Sequence, residues 1–221
     1  IVGNTTATYQ DTANKSLFVM TGGHTNETVM VQGNGAEAEI TGGTLTGATP
    51  ILGNGNDSSG GTKITVGGDA TVGSPTLGWA AIFHPQEGLL TINGGTTTIA
   101  SGNDAIQAGI AIGIDGGTIT ITDCYEGIES TTITVTDGDI DVTSAEDAIT
   151  AETTVAISGG EFNILSGGGY TASISDDFSA KGIKGIVSVV IDGGTFVMNC
   201  ADDAIHSNDA ITINSGTFEI A

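Results

Sequence analysis

The sequence predicts an all-β chain folded as a right-handed, single-stranded parallel β-helix, a solenoid of about nine coils of about 22 residues each. Three observations predict it: a repeat that stays in phase, a glycine at one fixed point of that repeat, and apolar residues alternating on either side of it. Six units align without a gap: Ile92–Ile99, Ile114–Ile121, Val135–Val142, Ile157–Ile164, Ile191–Met198 and Ile213–Ile220. The glycine common to them, Gly95, Gly117, Gly138, Gly160, Gly194 and Gly216, recurs at intervals of 22, 21, 22, 34 and 22 residues.

Each unit begins with a strand that ends at the Ile or Val before the glycine pair. The turn follows. Its first glycine is replaced by Asp137 and Ser215 in two units, whereas the second is kept in all six, as expected where a side chain has no room or φ must be positive. The second strand then alternates, which puts Ile119, Ile140, Phe162, Phe196 and Phe218 in one inward column and Ile99, Ile121, Val142, Ile164, Met198 and Ile220 in another. A third short run reads Asp104-Ala-Ile106, Glu126-Gly-Ile128, Asp147-Ala-Ile149, Lys181-Gly-Ile183 and Asp203-Ala-Ile205, and its isoleucines form a third inward column. One coil cannot bury such residues, but a stack of coils makes a continuous core. The N-terminal half repeats the pattern loosely, at Gly22-Gly23, Gly42-Gly43 and Gly67-Gly68, with Ala80-Ala-Ile82 in the third-strand phase and a Gly/Asn/Asp/Ser-rich loop from Gly53 to Gly61. A single domain follows, with irregular coils over 1–87 and regular coils over 88–221 interrupted by an insertion at 166–179.

Composition excludes several classes. With 4 basic and 26 acidic residues the formal charge is −22, there is no Arg, and the lysines are Lys15, Lys63, Lys181 and Lys184. A protein so short of cations does not bind nucleic acid by neutralising phosphates. No apolar run reaches the roughly 18 residues of a membrane span. The chain opens at Ile1 without an initiator Met, which reads as a mature or excised piece, and the expected location is extracellular or at the cell surface. Cys124 and Cys200 fall about three coils apart, roughly 14 Å at the β-strand spacing, so two free, buried thiols are expected rather than a disulfide.

In a parallel solenoid, residues at one phase become a ladder with rungs about 4.8 Å apart. One ladder reads Asp104, Glu126, Asp147, Lys181, Asp203; beside it run Asn103, Tyr125, Glu146, Ala180, Asp202, and then Gln107, Glu129, Thr150, Lys184, His206. At an effective dielectric near 20 and a separation of about 5 Å, each carboxylate pair costs roughly 3 kcal/mol before screening. A hard, oxygen-seeking cation such as Ca²⁺ would relieve that cost. The candidate ligands are Asp104, Glu126, Glu129, Glu146 and Asp147 on one side, and Asp176, Asp177, Asp202, Asp203 and Asp209 on the other. The same acids also suit exposed turns. Neither an EF-hand loop nor a nonapeptide calcium-binding array is present.

Insertions in solenoids commonly build a binding face, and this one carries Gly167-Gly-Gly-Tyr170 and Asp176-Asp-Phe178. Trp79, Phe83, Tyr125 and Tyr170 fall outside the inward columns and are candidate platforms for sugar rings, whereas Phe162, Phe196 and Phe218 are core. His84 and His206 occupy nearby third-strand phases. The outward column Thr98, Thr120, Asp141, Asn163, Val197, Glu219 is not a threonine lattice, which sets ice binding aside.

The strings Asp147-Ala-Ile-Thr-Ala-Glu152, Ser179-Ala-Lys-Gly-Ile-Lys184, Ala201-Asp-Asp-Ala-Ile-His-Ser207 and Tyr125-Glu-Gly-Ile-Glu129, threaded between Ile-x-Gly-Gly-Thr units, resemble the clostridial carbohydrate-binding β-helix family over about residues 88–221. The resemblance implies a polysaccharide-lyase-like fold, bound calcium, and cellulose or polygalacturonate as partner. By motif it implicates Asp147, Lys181, Lys184, Asp202, Asp203, His206, Glu126 and Glu129. The expected function is a non-catalytic, calcium-bearing module that binds plant cell-wall polysaccharide, with Trp79, Tyr125, Tyr170, Lys181, Lys184 and His206 as the carbohydrate-binding candidates. One alternative is a calcium-dependent pectate lyase, with Lys184 as the base that removes the C5 proton and Lys181 beside it. Another is a structural or adhesive solenoid.

Overall fold

The computed structural model describes residues 4–12, 15–31, 35–53, 62–74, 80–86, 88–175 and 177–221. Among them there is no helix, hence none long and apolar enough to cross a membrane. All strands join one 18-stranded system. The chain is a parallel β-solenoid whose coils each contribute a first, second and third strand.

The three inward columns read from the sequence form as the alternation requires, with Ile99, Ile121, Val142, Ile164, Met198 and Ile220 in register as one of them, and a fourth lies on the first strand. The first-strand column runs Met20, Ile40, Val66, Ile92, Ile114, Val135, Ile157, Ile191, Ile213. In the second strand, Thr25, Leu45, Val72, Thr97, Ile119, Ile140, Phe162, Phe196 and Phe218 are in register, nine rungs that enclose about eight turns. Val29, Ile51, Ile82, Ile106, Ile128, Ile149, Ile183 and Ile205 make the third. Ala80-Ala-Ile82 therefore does occupy the third-strand phase. One hydrophobic cluster extends from Met20 to Cys200. Both cysteines are free and buried, and burial pushes the Cys124 thiol up to about 12.

The invariant glycine answers to both of its expected causes. Gly194 has φ 104°, and a Cβ built on it would lie 3.0 Å from Cζ of Phe196, whose ring covers the turn of its own coil. Gly194→Ala is therefore expected to destabilise the fold by about 1–3 kcal/mol in denaturant unfolding, from backbone strain and the displaced ring together.

The repeat did not anticipate the N-terminal edge. Strand β1, Asn4–Thr12, pairs antiparallel with β2, Lys15–Thr25, which in turn starts the parallel stack. A terminal coil exposes unpaired N–H and C=O groups, and a hairpin strand laid on it satisfies them. Such a strand needs no glycine pair and leaves no trace in the periodicity. Most of the Gly53 to Gly61 loop, residues 54–61, lies outside the described residues.

Candidate functional site

The acids of the ladders lie at the corner where the second strand passes into the third. Backbone hydrogen bonds between coils fix their order: the amides of Ala105, Gly127, Ala148 and Gly182 donate to the carbonyls of Glu126, Asp147, Lys181 and Asp203 at 2.9, 3.1, 2.9 and 3.0 Å. Asp104, Glu126, Asp147, Lys181 and Asp203 are thus consecutive rungs. A small residue follows each because it turns inward at the corner, where Ala105 and Ala148 are fully buried. Beside them Gln107, Glu129, Thr150, Lys184 and His206 stand in register on the third strand, pointing outward.

Three of the carboxylates converge. Asp104, Glu126 and Glu129 each present an oxygen within 4.8 Å of the others. Burial, then repulsion from and a shared proton with Glu129, pushes Asp104 up to about 7. Glu126 is pushed up to about 8 by burial and by the charges of Glu129, Asp104 and Asp147, with Lys184 offsetting part of the rise. Gln107 donates from Nε2 to Glu129 and so aims one of its oxygens. Two oxygens on opposite sides of one Ca²⁺ can be up to about 5 Å apart, given metal–oxygen distances of about 2.3–2.6 Å. The three acids fit that span, and among the described residues nothing neutralises them fully. Glu129 also lines a cleft of about 140 Å³ together with Gln107, Gly109, Thr131 and Glu152.

One coil on, the charge is compensated internally. Asp147 is fully buried and its carboxylate accepts from three donors: Lys184 Nζ to Oδ2 at 2.7 Å, Ser179 Oγ to Oδ1 at 2.7 Å, and the Lys181 amide to Oδ1 at 2.8 Å. Ser179 closes the insertion, so the excursion after Ser166 supplies a ligand to the corner instead of merely looping away. Lys181 Nζ pairs with Asp202 and holds that carboxyl below the usual range. His206 Nδ1 lies 2.8 Å from Asp203 Oδ2. Glu146 accepts the Tyr125 hydroxyl at 2.5 Å, and this bond first, then partial desolvation, pushes the phenol up to about 12.

The ten acids named as candidate ligands therefore divide. Asp104, Glu126 and Glu129 come together, while Glu146, Asp147, Asp202 and Asp203 each have a donor or cation of their own. Asp177 and Asp209 are exposed away from the three, and Asp176 lies outside the described residues. Trp79 does too. Tyr125 is exposed at the corner and Tyr170 on the insertion, where its amide donates to Asn199 Oδ1 at 2.8 Å. Phe178, named in the insertion but not among the candidate sugar platforms, is exposed beside a cleft of about 380 Å³ lined by Ala145, Gly167 and Ser173–Ser175. Only its position in a polar insertion could have flagged it. His84 is a core residue: its Nε2 lies 2.5 Å from Thr62 Oγ1, and burial lowers its pKa to about 4.

A family model described as carbohydrate-binding domain-containing protein matches residues 86–221. No curated protein and no solved structure matches the chain significantly. The family match covers the regular coils, the acidic corner and the insertion, which is more than half of the sequence. The chain belongs to the family of carbohydrate-binding domain-containing proteins.

Proposed function

We propose that the chain is a non-catalytic, calcium-dependent polysaccharide-binding module of an extracellular or cell-surface bacterial protein, with plant cell-wall glycans of the pectate or cellulose type as partners. The observation that carries this is the convergence of Asp104, Glu126 and Glu129 at the corner of a carbohydrate-binding fold. Ca²⁺ held there supplies the positive charge that a protein of charge −22 needs before an acidic glycan can approach it. The cleft beside Glu129 and the exposed ring of Tyr125 are near enough in the stack to receive sugar.

Lys184 speaks for binding over lyase chemistry. A lysine base must be free and neutral to take a proton from C5, and this ammonium is held against the buried Asp147. Lys181 is likewise engaged by Asp202. Incubation with polygalacturonate and Ca²⁺ should give calcium-dependent retention on the polymer and no absorbance from an unsaturated product. Sustained turnover would favour the lyase, and retention that survives a chelator would remove calcium from the reading.

The pH dependence has a definite sign. In metal-free protein the folded-state pKa values of Asp104 and Glu126, about 7 and about 8, exceed ordinary carboxyl values near 4. Folding then favours the protonated forms, so their contribution to stability is present below about pH 4 and is lost as pH rises through about 7 to 8. The melting temperature with a chelator present should fall between about pH 5 and about pH 8.5, by an amount worth a few kcal/mol at most once solvent screening is allowed for. Calcium should raise it most at the upper end. A chelated protein whose melting is flat over that window, and which calcium does not shift, would count against both the electrostatics and the metal.

A further inference from the structure

The outward side of the second-strand face changes character along the solenoid. Register places Thr44, Thr71, Thr96 and Thr118 in one outward ladder and Thr46, Gly73, Thr98 and Thr120 in the next. Rungs of a parallel ladder are about 4.8 Å apart and alternate residues roughly 6.6 Å apart along a strand, so the hydroxyls make a flat two-row grid roughly 14 Å long. Among the described residues none of these seven threonines has a side-chain hydrogen bond within the protein. Threonines at the corners do: Thr122 Oγ1 donates to Ile99 O at 3.2 Å and Thr131 Oγ1 to Gly109 O at 2.8 Å.

The grid is also uncharged, although the chain has 26 acidic residues. The following coils turn the same two ladders acidic at Asp139, Asp141 and Glu161. Gly73 leaves a notch between Thr46 and Thr98, part of a groove of about 320 Å³. The sequence hid this array because the coil at Thr71 carries extra residues after its glycine pair, which shows as a register shift between Val66 and Thr71.

We propose that this face is a second glycan-binding surface, for an extended neutral polysaccharide lying along the ladders. The proposal rests on the chain being a polysaccharide-binding module, but not on the calcium site. Its first two coils, at Thr44 and Thr71, precede the 86–221 match, so the family does not imply it. A neutral polyol exchanges hydrogen bonds with water for bonds to threonine without moving any charge out of solvent, which suits an uncharged patch. Threonine is stiff at χ1, so the grid is ordered before the ligand arrives and little entropy is lost. The methyl groups offer contact to the C–H faces of the sugars, and the coil repeat is close to the length of one pyranose in an extended β-1,4 chain. A uronate polymer gains little here, because the seven threonines carry no charge and the basic group beside them is His24, on the rung before Thr44.

The test is retention of the full chain on insoluble microcrystalline β-1,4-glucan, with two variants. Thr71→Val/Thr96→Val/Thr118→Val deletes three hydroxyls at nearly constant shape. Gly73→Gln fills the notch, where an added Cβ meets nothing closer than 3.7 Å, so the fold should tolerate it. Each variant should bind at least about tenfold more weakly than the parent, since each lost neutral hydrogen bond weakens binding by a few fold, with melting unchanged. Retention by the parent should persist in a chelator. Parent-like binding by both variants, or loss of glucan binding in chelator alone, overturns the proposal while leaving polysaccharide binding intact. So does retention on polygalacturonate without retention on the neutral polymer. Failure on every glycan overturns the wider reading as well. Variant-sensitive inhibition of ice-crystal growth without glucan binding would assign the grid to ice.

Discussion

Phe196→Ala is expected to destabilise the protein by about 3–5 kcal/mol, measured by denaturant unfolding. Phe196 is fully buried between two rings, its centroid 4.6 Å from that of Phe162 and 4.8 Å from that of Phe218, with planes 11° and 5° apart. These separations are the rise of one coil, so the solenoid itself sets the stacking distance. Truncation removes two ring contacts, each worth about 0.5–1.5 kcal/mol beyond the area buried. It also leaves a cavity that the backbone cannot close, because the ladders on either side hold the coils at fixed spacing. Phe218→Ala, at the half-buried end of the stack, should cost distinctly less. Since stability in a solenoid is roughly a sum over neighbouring coils, the damage should be local. Amide exchange should accelerate over residues 188–221 and stay unchanged near the Ile40 and Val66 rungs. Equal costs at Phe196 and Phe218, or exchange raised uniformly, would mean the ring stack does not carry this energy.

How much was legible followed from what is periodic. Over residues 92–220 each coil presents the same phase to its neighbours, so the inward columns and the ladder Asp104, Glu126, Asp147, Lys181, Asp203 could be written down from spacing. The bonded registers reproduce the columns, and the backbone hydrogen bonds between coils reproduce the ladder. Earlier coils carry extra residues in their turns, which shifted the apparent phase and concealed the alignment of Thr71 with Thr44 and Thr96. Partner choice at the acidic corner was not legible at all. Whether a carboxylate stays open depends on which flexible donor reaches it, and those donors come from elsewhere: Lys184 is 37 residues from Asp147, and Ser179 arrives on the insertion. A ladder of acids thus gave the place of the site, while the cations and hydroxyls around it decided which acids remain unpaired.

That division makes the Asp147–Lys184 pair the boundary of the acidic site, and Asp147→Ala tests it. The buried carboxylate is the anchor for an ammonium, a hydroxyl and a backbone amide at once. Removing it takes from Lys184 its buried partner and orphans two further donors, an expected loss of about 3–5 kcal/mol by denaturant unfolding. Replacing both partners, Asp147→Ala/Lys184→Met, should recover part of that loss, because an ammonium left with only the weaker charged partner Glu126 costs more than no charge at all. A double variant less stable than the single one would deny the pair its role. The same substitutions bear on the site next door. Lys184 already acts on Glu126, lowering its proton affinity, and without Asp147 the freed ammonium has Glu126 as a neighbouring carboxylate. It would then occupy charge that the proposed Ca²⁺ requires, so on that proposal the single variant should bind calcium more weakly than the parent and the double variant should bind it as the parent does. Calorimetry on the three proteins, at a temperature where each is folded, separates this from simple instability. Equal calcium affinity in the parent and the single variant would mean that Asp147 does not keep Lys184 away from the acids.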